Sequence, residues 1–359
     1  MIDLSLMTDG GMGWLDASGP ESHLVLSTRI RLARNLAAVP FQGRSDDAER
    51  ERILRDVSAA ARETVLLSRA VSFRLDRLDD ADRQLLHERH LVSKELAGIE
   101  PGGRVRYGAA LLHQDRIGVM LNEEDHLRLQ GLHSGFALQA AYADVDRLDG
   151  ELGRQLAFAF HPEFGYLTAC PTNVGTGLRA SVLIHLPGLV LTKEVSRVLQ
   201  GLAQVGLTFR GLYGEGSEVV GNFFQLSNQT TLGKSETELL DHLARVVRQV
   251  IEYEEQARQV LLQSAPTIIE DKVWRAYGLL RHARNLSFDE AMNLLSAVRL
   301  GAGLGLIPGI GMYTLNKLLI QSQPAHLAVA ENLPLGDPAL ALRRAALVRR
   351  VLEDDVERR

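Results

Sequence analysis

The only cysteine of the chain lies in the stretch whose residue types most strongly indicate chemistry. In the segment ACPTNVGTGLR, Cys170 precedes a Gly-Thr-Gly turn at 175–177, and Arg179 follows that turn closely. Glycines let the backbone turn tightly and approach a ligand, and an arginine beside such a turn suits a phosphate or a carboxylate. The apolar residues 180–186 predict a buried strand. Taken alone, the stretch also fits a hairpin whose glycines serve only the turn.

The sequence partly matches two familiar nucleotide-binding motifs, but neither match is complete. The spacing Gly175-x-Gly177-x-x-Ala180 satisfies the loose dinucleotide fingerprint, which must follow a strand and open a helix. Here it runs into a predicted strand, which argues against a Rossmann fold. The GKS at 233–235 resembles the end of a P-loop, but position 228 is asparagine where that motif needs glycine.

Arginine is so common in this chain that an isolated one is weak evidence, since 35 of the 40 basic residues are arginine. We therefore treat an arginine as evidence of an anion-binding site only where it lies within a motif. Alternation over 22–36 predicts a strand with Arg29 and Arg31 on one face and Ile30 and Leu32 on the other. Two guanidinium groups on one face repel each other unless an anion lies between them. A solvated edge strand is the alternative.

Three adjacent acids stand between apolar runs in the segment NEEDHLR, which starts at position 122. Such acids are costly to bury without cationic partners. Strand alternation predicts one side with Glu124, His126 and Arg128, and the other with Glu123 and Asp125. An acidic turn at a strand end is the alternative.

A glycine-rich loop at 210–216 carries Arg210 and Glu215. Loops of this kind commonly close over substrates.

Composition describes an ordinary water-soluble protein, with 45% hydrophobic residues, 24% charged residues and a net charge of -5. The chain has no excess of basic residues that would indicate a nucleic-acid partner. No apolar run suggests a signal peptide or a membrane span. A single cysteine excludes an internal disulfide framework and cysteine-based metal clusters. We expect a cytoplasmic protein with no nucleic-acid or membrane partner.

Periodicity predicts an α+β fold with an antiparallel sheet flanked by helices and a C-terminal all-helical domain. Strands are expected at 22–36, three times within 106–132, at 180–186 and on both sides of the 210–216 loop. Helices are expected at 46–67, 79–90, 135–155, 192–205 and, behind a Ser235–Glu238 capping box, to about 262. His90 is expected to cap a helix or lie at the surface. We predict two domains, 1–262 and 263–359, the second suited to dimerisation or regulation, with 301–320 as an interhelical turn or interface.

The motif arginines each adjoin a strand or a glycine turn, so we expect them to converge. Several converging arginines imply a polyanion, and a nucleoside triphosphate is the commonest one in the cytosol. The carboxylates are then available to a cationic, proton-donating substrate. The residues predict a phosphoryl-transfer site without a P-loop.

The sequence resembles the guanidino (phosphagen) kinase family. The resemblance rests on five motifs in the family's order between about 20 and 262: STRIR at 27–31, NEEDHLR at 122–128, CPTNVGTGLRASV at 170–182, RGLYGE at 210–215 and SNQTTLGKSE at 227–236. It implies that ATP with Mg²⁺ phosphorylates a guanidinium group on an antiparallel catalytic sheet.

The resemblance also implies roles for individual residues. Glu124 is the expected base, Glu215 the carboxylate that grips the guanidinium, Cys170 the reactive cysteine beside the substrate, and Glu123 a further catalytic acid. ATP is expected to contact Ser27, Thr28, Arg29, Ile30, Arg31, His90, Arg128, Arg179, Ala180, Ser181, Val182, Leu183, Arg210, Gly211, Leu212, Tyr213, Gly214 and Glu215. No protein ligand to a metal is predicted.

Substrate size is indicated by the order of the motifs. Family members that act on small guanidines carry a helical domain ahead of STRIR, whereas here STRIR begins at residue 27 and the extra helical domain follows the catalytic one. This is the arrangement of the family's protein-arginine branch, so we expect phosphorylation of arginine side chains in proteins, marking them for proteolysis. A kinase of free arginine or a related small guanidine is the alternative.

Partners are likewise implied only by the resemblance: an adaptor activator, an AAA+ protease and a second copy of the chain. That branch carries an Arg-Asp-x-x-Arg-Ala motif that reads phosphoarginine, but 340–345 keeps only Arg344-Ala345. Control by phosphoarginine is therefore not predicted.

Two other hypotheses stay open, namely a deiminase or amidinotransferase using Cys170 with His126, and a non-catalytic scaffold that binds ATP or phosphoarginine.

Overall fold

A computed structural model describes residues 13–100, 102–212 and 219–357. Its strands are β1 (Val25–Arg34), β2 (Val71–Arg74), β3 (Ala110–Gln114), β4 (Ile117–Leu121), β5 (Leu127–Ser134), β6 (Phe160–His161), β7 (Gly165–Tyr166), β8 (Leu178–His185), β9 (Leu207–Arg210) and β10 (Phe223–Asn228). Eight of them form one sheet in the order β2-β3-β4-β5-β1-β8-β10-β9. All pairings in this sheet are antiparallel. The strands β6 and β7 form a separate hairpin.

Twelve helices surround or follow this sheet in the described part of the chain. They are α1 (Asp47–Arg62), α2 (Asp80–Glu88), α3 (Lys94–Ala97), α4 (Leu138–Gly153), α5 (Pro187–Leu191), α6 (Val195–Gln204), α7 (Glu236–Ser264), α8 (Pro266–His282), α9 (Phe288–Gly303), α10 (Met312–Gln321), α11 (Pro324–Glu331) and α12 (Ala339–Glu357). The predicted α+β class, an antiparallel sheet flanked by helices with a helical C-terminal region, is confirmed. No helix within the described ranges is long and apolar enough to cross a membrane.

The main core lies between one face of the sheet and the helices α1, α4, α6 and α7. Alternation along β1 places Ile30 and Leu32 in this core, with at most 1% of their surface exposed. Burial of an aliphatic side chain stabilises the fold by about 1.5–3 kcal/mol. Because Arg29 and Arg31 alternate with these residues, their side chains occupy the other face.

Helix ends follow the predicted signals in most places. Ser235 and Glu238 form the reciprocal capping box that opens α7, and Pro266 opens α8, where the missing N–H of proline costs no hydrogen bond. The predicted helix at 192–205 is shorter, because Thr192 ends α5 and α6 begins only at Val195.

The C-terminal helices form a second core, which also takes in Leu183 and Phe223 from the sheet. Helices α8 and α9 pack closely, since an added Cβ at Gly301 would lie only 2.2 Å from Cγ1 of Val273. The segment after Gly303 turns into α10, which confirms the interhelical turn. The proposed domain division at residue 262 remains a prediction.

Candidate active site

A cavity of about 770 Å³ lies on the arginine-bearing face of the sheet. All five motif arginines line it, together with His90, Glu123, Glu124, Cys170 and Asn173. Among the described residues that line it, eight are lysine or arginine and four are glutamate. The cavity therefore attracts anions while keeping carboxylates within it.

Strand register explains why the arginines converge. Arg31 of β1 lies opposite Arg179 of β8, and Arg128 of β5 lies opposite Ala33. Arg210 of β9 is reached across β10, where it lies opposite Gln225. Residues opposite each other on antiparallel strands have Cβ atoms about 4.5–5.5 Å apart, so the guanidinium groups form one positively charged surface.

Hydrogen bonds to neutral side chains orient two of these arginines, Arg29 and Arg179. Nη2 of Arg29 donates to Oε1 of Gln225 at 3.2 Å. Nη2 of Arg179 donates to the hydroxyls of Ser227 at 3.3 Å and Thr208 at 3.4 Å. Neutral side-chain oxygens thus help to hold both guanidinium groups in place.

Crowding of like charges is visible in the pKa values. Burial first, and then the charges of Arg179 and Arg128, lower the pKa of Arg29 to about 10. Burial and the neighbouring Arg29 lower the pKa of Arg31 well below its ordinary value, and the buried Nε of Arg31 makes no hydrogen bond to any residue that the structure describes. An anion between these groups would relieve both the repulsion and the missing hydrogen bond.

Arg128 differs because two carboxylates neutralise it. Its Nη1 lies 2.7 Å from Glu123 and its Nη2 lies 3.1 Å from Glu124. Burial acts to lower the pKa of Arg128, but Glu123 and Glu124 outweigh burial and raise it. Glu123 also accepts a hydrogen bond from Ser93, and its side chain is 2% exposed against 44% for Glu124.

These contacts overturn the predicted alternation over 122–128. Glu123 and Glu124 both reach Arg128, although alternation puts them on opposite sides. The reason is that the chain leaves strand geometry between β4 and β5, where Asn122 has a φ of 59°. The acidic turn considered as the alternative is what forms, and it lies at the cavity.

Asp125 and Asn35, which sequence reasoning did not assign to the site, tie this acidic turn to the cysteine segment. Oδ1 of Asp125 accepts hydrogen bonds from Nδ2 of Asn35 at 2.7 Å and from the backbone N–H of Ala169 at 2.6 Å. Asn35 in turn accepts from the N–H of His126 at 2.9 Å. A polar residue directly after the arginine strand was the only available signal.

The cysteine segment is held from its other side by Thr231. The Thr231 hydroxyl lies within hydrogen-bonding distance of the carbonyls of Thr172, at 2.8 Å, and Val174, at 2.7 Å. Gly175 has a φ of +110°, and a Cβ there would lie 2.4 Å from the Thr231 carbonyl. The first turn glycine is thus required by a close approach, and Cys170, whose Sγ lies 3.0 Å from the Thr172 hydroxyl, is held at the cavity edge.

A buried ion pair supports the same segment from the core side. Arg34 pairs with Asp149 of α4 at 2.7 Å, and its Nη1 donates to the Thr176 carbonyl at 2.9 Å. Although Arg34 belongs to the same strand as Arg29 and Arg31, it has a structural partner and does not line the cavity.

His90 is not the surface or capping histidine that its sequence position suggested. It is 7% exposed, lines the cavity, and has a φ of 59° in the left-handed region. Burial first, followed by Arg29 and His87, lowers its pKa well below the ordinary value. A neutral ring at the cavity wall is suited to contact an aromatic or polar group.

Several predicted ATP contacts have side chains that do not line the cavity. They are Ser27, Thr28, Ile30, Ala180, Ser181, Val182, Leu183, Gly211 and Leu212. The Thr28 hydroxyl, for example, donates to the Gly135 carbonyl at 2.7 Å, and Ala180 and Val182 belong to the main core. Tyr213, Gly214 and Glu215 lie outside the described residues.

A wall opposite the sheet consists of residues that the motifs did not indicate. It comes from α3 and the chain leading to β3, and includes Ser93, Lys94, Glu95, Glu100, Arg104 and Arg106. Arg106 donates to the Glu123 carbonyl, which links this wall to the acidic turn. None of the five motifs includes these positions, although Gly102 and Gly103 directly precede Arg104.

Comparison with known proteins agrees with this geometry. Residues 53–257 match the family described as ATP:guanido phosphotransferase, C-terminal catalytic domain. The chain therefore belongs to the ATP:guanido phosphotransferase family, whose members are kinases that use ATP. Residues 266–359 match a second family, described as the protein-arginine kinase McsB C-terminal domain.

Curated relatives are similar over almost their whole length. The protein-arginine kinase of Symbiobacterium thermophilum is 47% identical over 94% of this chain and 95% of its own. The protein-arginine kinases of Bacillus cereus and Brevibacillus brevis are 43% and 42% identical, each over at least 96% of both chains.

Solved structures share the fold. The duplicated taurocyamine kinase from Schistosoma mansoni, with bound transition-state-analogue components, has a TM-score of 0.60 and 28% identity over 67% of this chain. This chain spans 34% of that duplicated protein. Lombricine kinase, with a TM-score of 0.56 and 24% identity over 67% of this chain and 70% of its own, supports the fold alone.

Proposed function

We propose that this chain is a protein arginine kinase, which transfers the γ-phosphoryl group of ATP to arginine side chains of proteins and gives phosphoarginine. The observation that carries the proposal is the convergence of five arginines, two glutamates and Cys170 in one cavity. The curated relatives at 42–47% identity support the choice of substrate.

The arginines hold the triphosphate. Arg29, Arg31 and Arg179 line the cavity with their positive charges, and Arg128 is fixed by its carboxylates. Charge spread over the transferring phosphoryl group is stabilised by such prearranged donors, and positioning accounts for most of the catalysis of phosphoryl transfer. The cavity does not need a P-loop because side chains replace its backbone N–H groups.

Glu124 is the proposed base. A guanidinium has a pKa above about 12 and must lose a proton before its nitrogen can attack. The Glu124 carboxylate is 44% exposed toward the cavity and holds Arg128 by one oxygen, which leaves the other oxygen for the substrate. As the nitrogen–phosphorus bond forms, the bond from the γ-phosphorus to the bridging oxygen breaks, ADP leaves and the proton passes to Glu124.

Glu215 and Cys170 are proposed to flank the substrate guanidinium. The Glu215 assignment rests on the RGLYGE motif, since that residue lies outside the described part of the chain. Cys170 lines the cavity and is partly exposed. A thiolate there would add negative charge beside the substrate cation.

Magnesium is proposed to accompany ATP. In the described ranges, side chains able to share a metal ion cluster only at Glu21, His23 and Glu255, away from the cavity. The cavity thus fits an ion held mainly by phosphate oxygens and water, the mode that Mg²⁺ prefers. Such an ion neutralises phosphate charge when it is bound.

The deiminase or amidinotransferase hypothesis fails on His126. Its Nδ1 accepts from the N–H of Leu36 at 3.0 Å and its Nε2 lies 2.9 Å from the Pro40 carbonyl. Both ring nitrogens are occupied, so His126 cannot serve Cys170 as a base. Two results together would favour a cysteine mechanism over the kinase: turnover of a guanidine by the wild type without ATP, and loss of that turnover in a Cys170→Ala variant.

The decisive test is phosphorylation of a loosely folded protein. We expect Mg-ATP and casein, incubated with the chain, to give phosphate on casein arginines, detected by mass spectrometry at neutral pH because this linkage is lost in acid. Free arginine under the same conditions should yield little ADP. Robust ADP formation with free arginine and none with casein would favour the small-guanidine alternative.

Further expectations rest on the resemblance and remain proposals. They are action in protein quality control and the stress response, a cytoplasmic location, a homodimer, an adaptor activator and delivery to an AAA+ protease. In the degenerate 340–345 segment, Arg344 donates to the carbonyls of Ser322 at 2.7 Å and Leu286 at 2.9 Å. Its guanidinium therefore joins C-terminal helices.

A further inference from the structure

A buried carboxylate links the C-terminal helices to the wall of the cavity. Glu88 is the last residue of α2 and is 3% exposed. Its oxygens accept hydrogen bonds from the N–H groups of Ala325, at 2.9 Å and 3.1 Å, and His326, at 3.0 Å. Nδ1 of His326 lies 3.0 Å from the same carboxylate. These donors open α11, so Glu88 caps a helix that belongs to the C-terminal region.

Two residues beyond Glu88 lies His90, on the cavity wall. The turn from α2 into His90 requires the left-handed conformation, with a φ of 59°, which a residue other than glycine rarely adopts. Such a conformation persists only where the surroundings hold it. The His90 carbonyl accepts from Nε2 of Gln130 at 2.9 Å on the sheet side, while Glu88 fixes the end of α2 on the other side.

Both helix α2 and the C-terminal helices contribute side chains to the packing around this turn. One core cluster combines Leu85 and Leu86 of α2 with Ile320 and Ala325 of the C-terminal helices. Trp14 belongs to this cluster, and its ring lies edge-on to His90 with centroids 5.3 Å apart. The position of the His90 wall therefore depends on helix α11 as well as on the sheet.

We propose that Glu88 is a positioning residue for nucleotide binding: by capping α11 it holds the α2 end and sets the place of His90 in the cavity. The inference rests on the proposed function in one respect, that the cavity binds a nucleotide. It assigns to the C-terminal helices a part in building the nucleotide site, independent of any effector.

The test compares two buried carboxylates that each cap a helix and lie beside one basic side chain, His326 for Glu88 and Arg258 for Glu254. Glu254 is 0% exposed and caps α5 through the N–H groups of Gly188 and Leu189, both at 2.9 Å. It does not line the cavity, and no cavity residue follows it in its helix. Glu254→Gln therefore serves as the matched control for Glu88→Gln.

Mg-ADP binding is measured by isothermal titration calorimetry on the full chain at a temperature where all variants are folded. We expect Glu88→Gln to raise the Kd at least fivefold and the KM for ATP similarly, with kcat within about twofold of the wild type. Glu254→Gln should change the Kd by less than twofold, even if its Tm falls as far as that of Glu88→Gln. His326→Ala, which removes one donor from the C-terminal side, should raise the Kd in the same direction and serves if Glu88→Gln does not fold.

Trp14 supplies a direct readout of the wall. In a Trp274→Phe background it is the remaining tryptophan, so a shift of its emission without nucleotide in Glu88→Gln, absent in Glu254→Gln, is expected. Unchanged Mg-ADP affinity in both Glu88→Gln and His326→Ala would overturn the inference and leave the kinase proposal intact. A wild-type chain that did not bind Mg-ADP would overturn the kinase proposal itself, and the inference with it.

Discussion

Glu123 and Glu124 are neighbours in sequence whose surroundings give them different tasks. Glu123 is enclosed between Ser93 and Arg128, whereas Glu124 shares Arg128 but keeps nearly half of its surface exposed. An enclosed carboxylate that is paired with a buried arginine is suited to hold that neighbour. One with an available oxygen in the cavity is suited to accept a proton.

Glu124→Gln should lower kcat by about 10²–10⁴-fold, since a positioned general base contributes that much. The amide keeps the size of the side chain and can still accept from Arg128, so the Kd for Mg-ADP should stay within twofold. Steady-state kinetics with casein, together with calorimetry, measure both quantities. An unchanged kcat would refute the assignment of the base.

Glu123→Gln should show the opposite pattern. Glu123 is 2% exposed against 44% for Glu124, so water screens its charge less and loss of that charge loosens Arg128 more. We therefore expect the KM for ATP to rise about tenfold, in line with a charged hydrogen bond of about 1.5 kcal/mol or more, with a smaller fall in kcat. The same assay compares the two variants directly. Equal kinetic signatures for both glutamates would contradict the division of roles.

At the scale of elements, the site depends on strands that carry arginines and on a clasp that holds the cysteine segment. Adjacent antiparallel strands β5, β1 and β8 bring Arg128, Arg31 and Arg179 together. The clasp is made by Thr231 after β10 and by Asp125 after β4. Both residues act on backbone groups, so the conformation of the cysteine segment is set by elements distant in sequence.

Gly175→Ala tests the clasp. A methyl group would lie 2.4 Å from the Thr231 carbonyl on a backbone with φ of +110°, so we expect more than about 1 kcal/mol of destabilisation and at least a tenfold loss of casein phosphorylation. Urea unfolding and the kinase assay are the measurements.

Gly150→Ala in α4 is the matched control for Gly175→Ala. Within the described part of the chain, no atom lies within 4 Å of the added methyl group, and alanine is favoured over glycine in a helix by about 0.5–1 kcal/mol. This variant should be at least as stable as the wild type and fully active. A Gly175→Ala protein with wild-type stability and activity would show that the close approach is unimportant.

For the whole molecule, pH is expected to act through histidines that folding keeps neutral. Burial is the largest cause that lowers the pKa of each member of this set: His87, His90, His113, His126, His185 and His326. Below the unfolded pKa of about 6.5, the unfolded chain binds protons that the folded chain does not. Stability is therefore full above that pH and falls as the pH decreases.

The free energy of unfolding should fall between pH 7 and pH 5, by up to about 1.4 kcal/mol per pH unit for each histidine that stays neutral. Urea unfolding at a series of pH values measures the slope. His185→Asn should reduce the slope, because His185 is 0% exposed and its burial lowers its pKa well below the ordinary value. Stability that rises on acidification would contradict the argument.

Local patterns were sufficient for the parts of the fold that short-range physics decides. Alternation placed Arg29 and Arg31 opposite the core face, glycines marked the turn at 175–177, and the capping box located the start of α7. Each of the five motifs contributes at least one residue to the cavity, although other motif residues do not line it. These inferences succeeded because strand period, left-handed backbone and helix caps depend on a few consecutive residues.

Tertiary structure alone decided which side chains share a contact. It turned Glu123 and Glu124 to one arginine, buried His90, assigned Arg34 to Asp149, and brought Asn35, Thr231 and the α3 wall to the site. Each of these pairs residues from separate segments, and their register depends on how strands and helices dock. The order of residues specifies the chemical groups and the local faces on which they lie. Long-range packing specifies their partners, because contacts between distant segments carry no periodic signal in the chain.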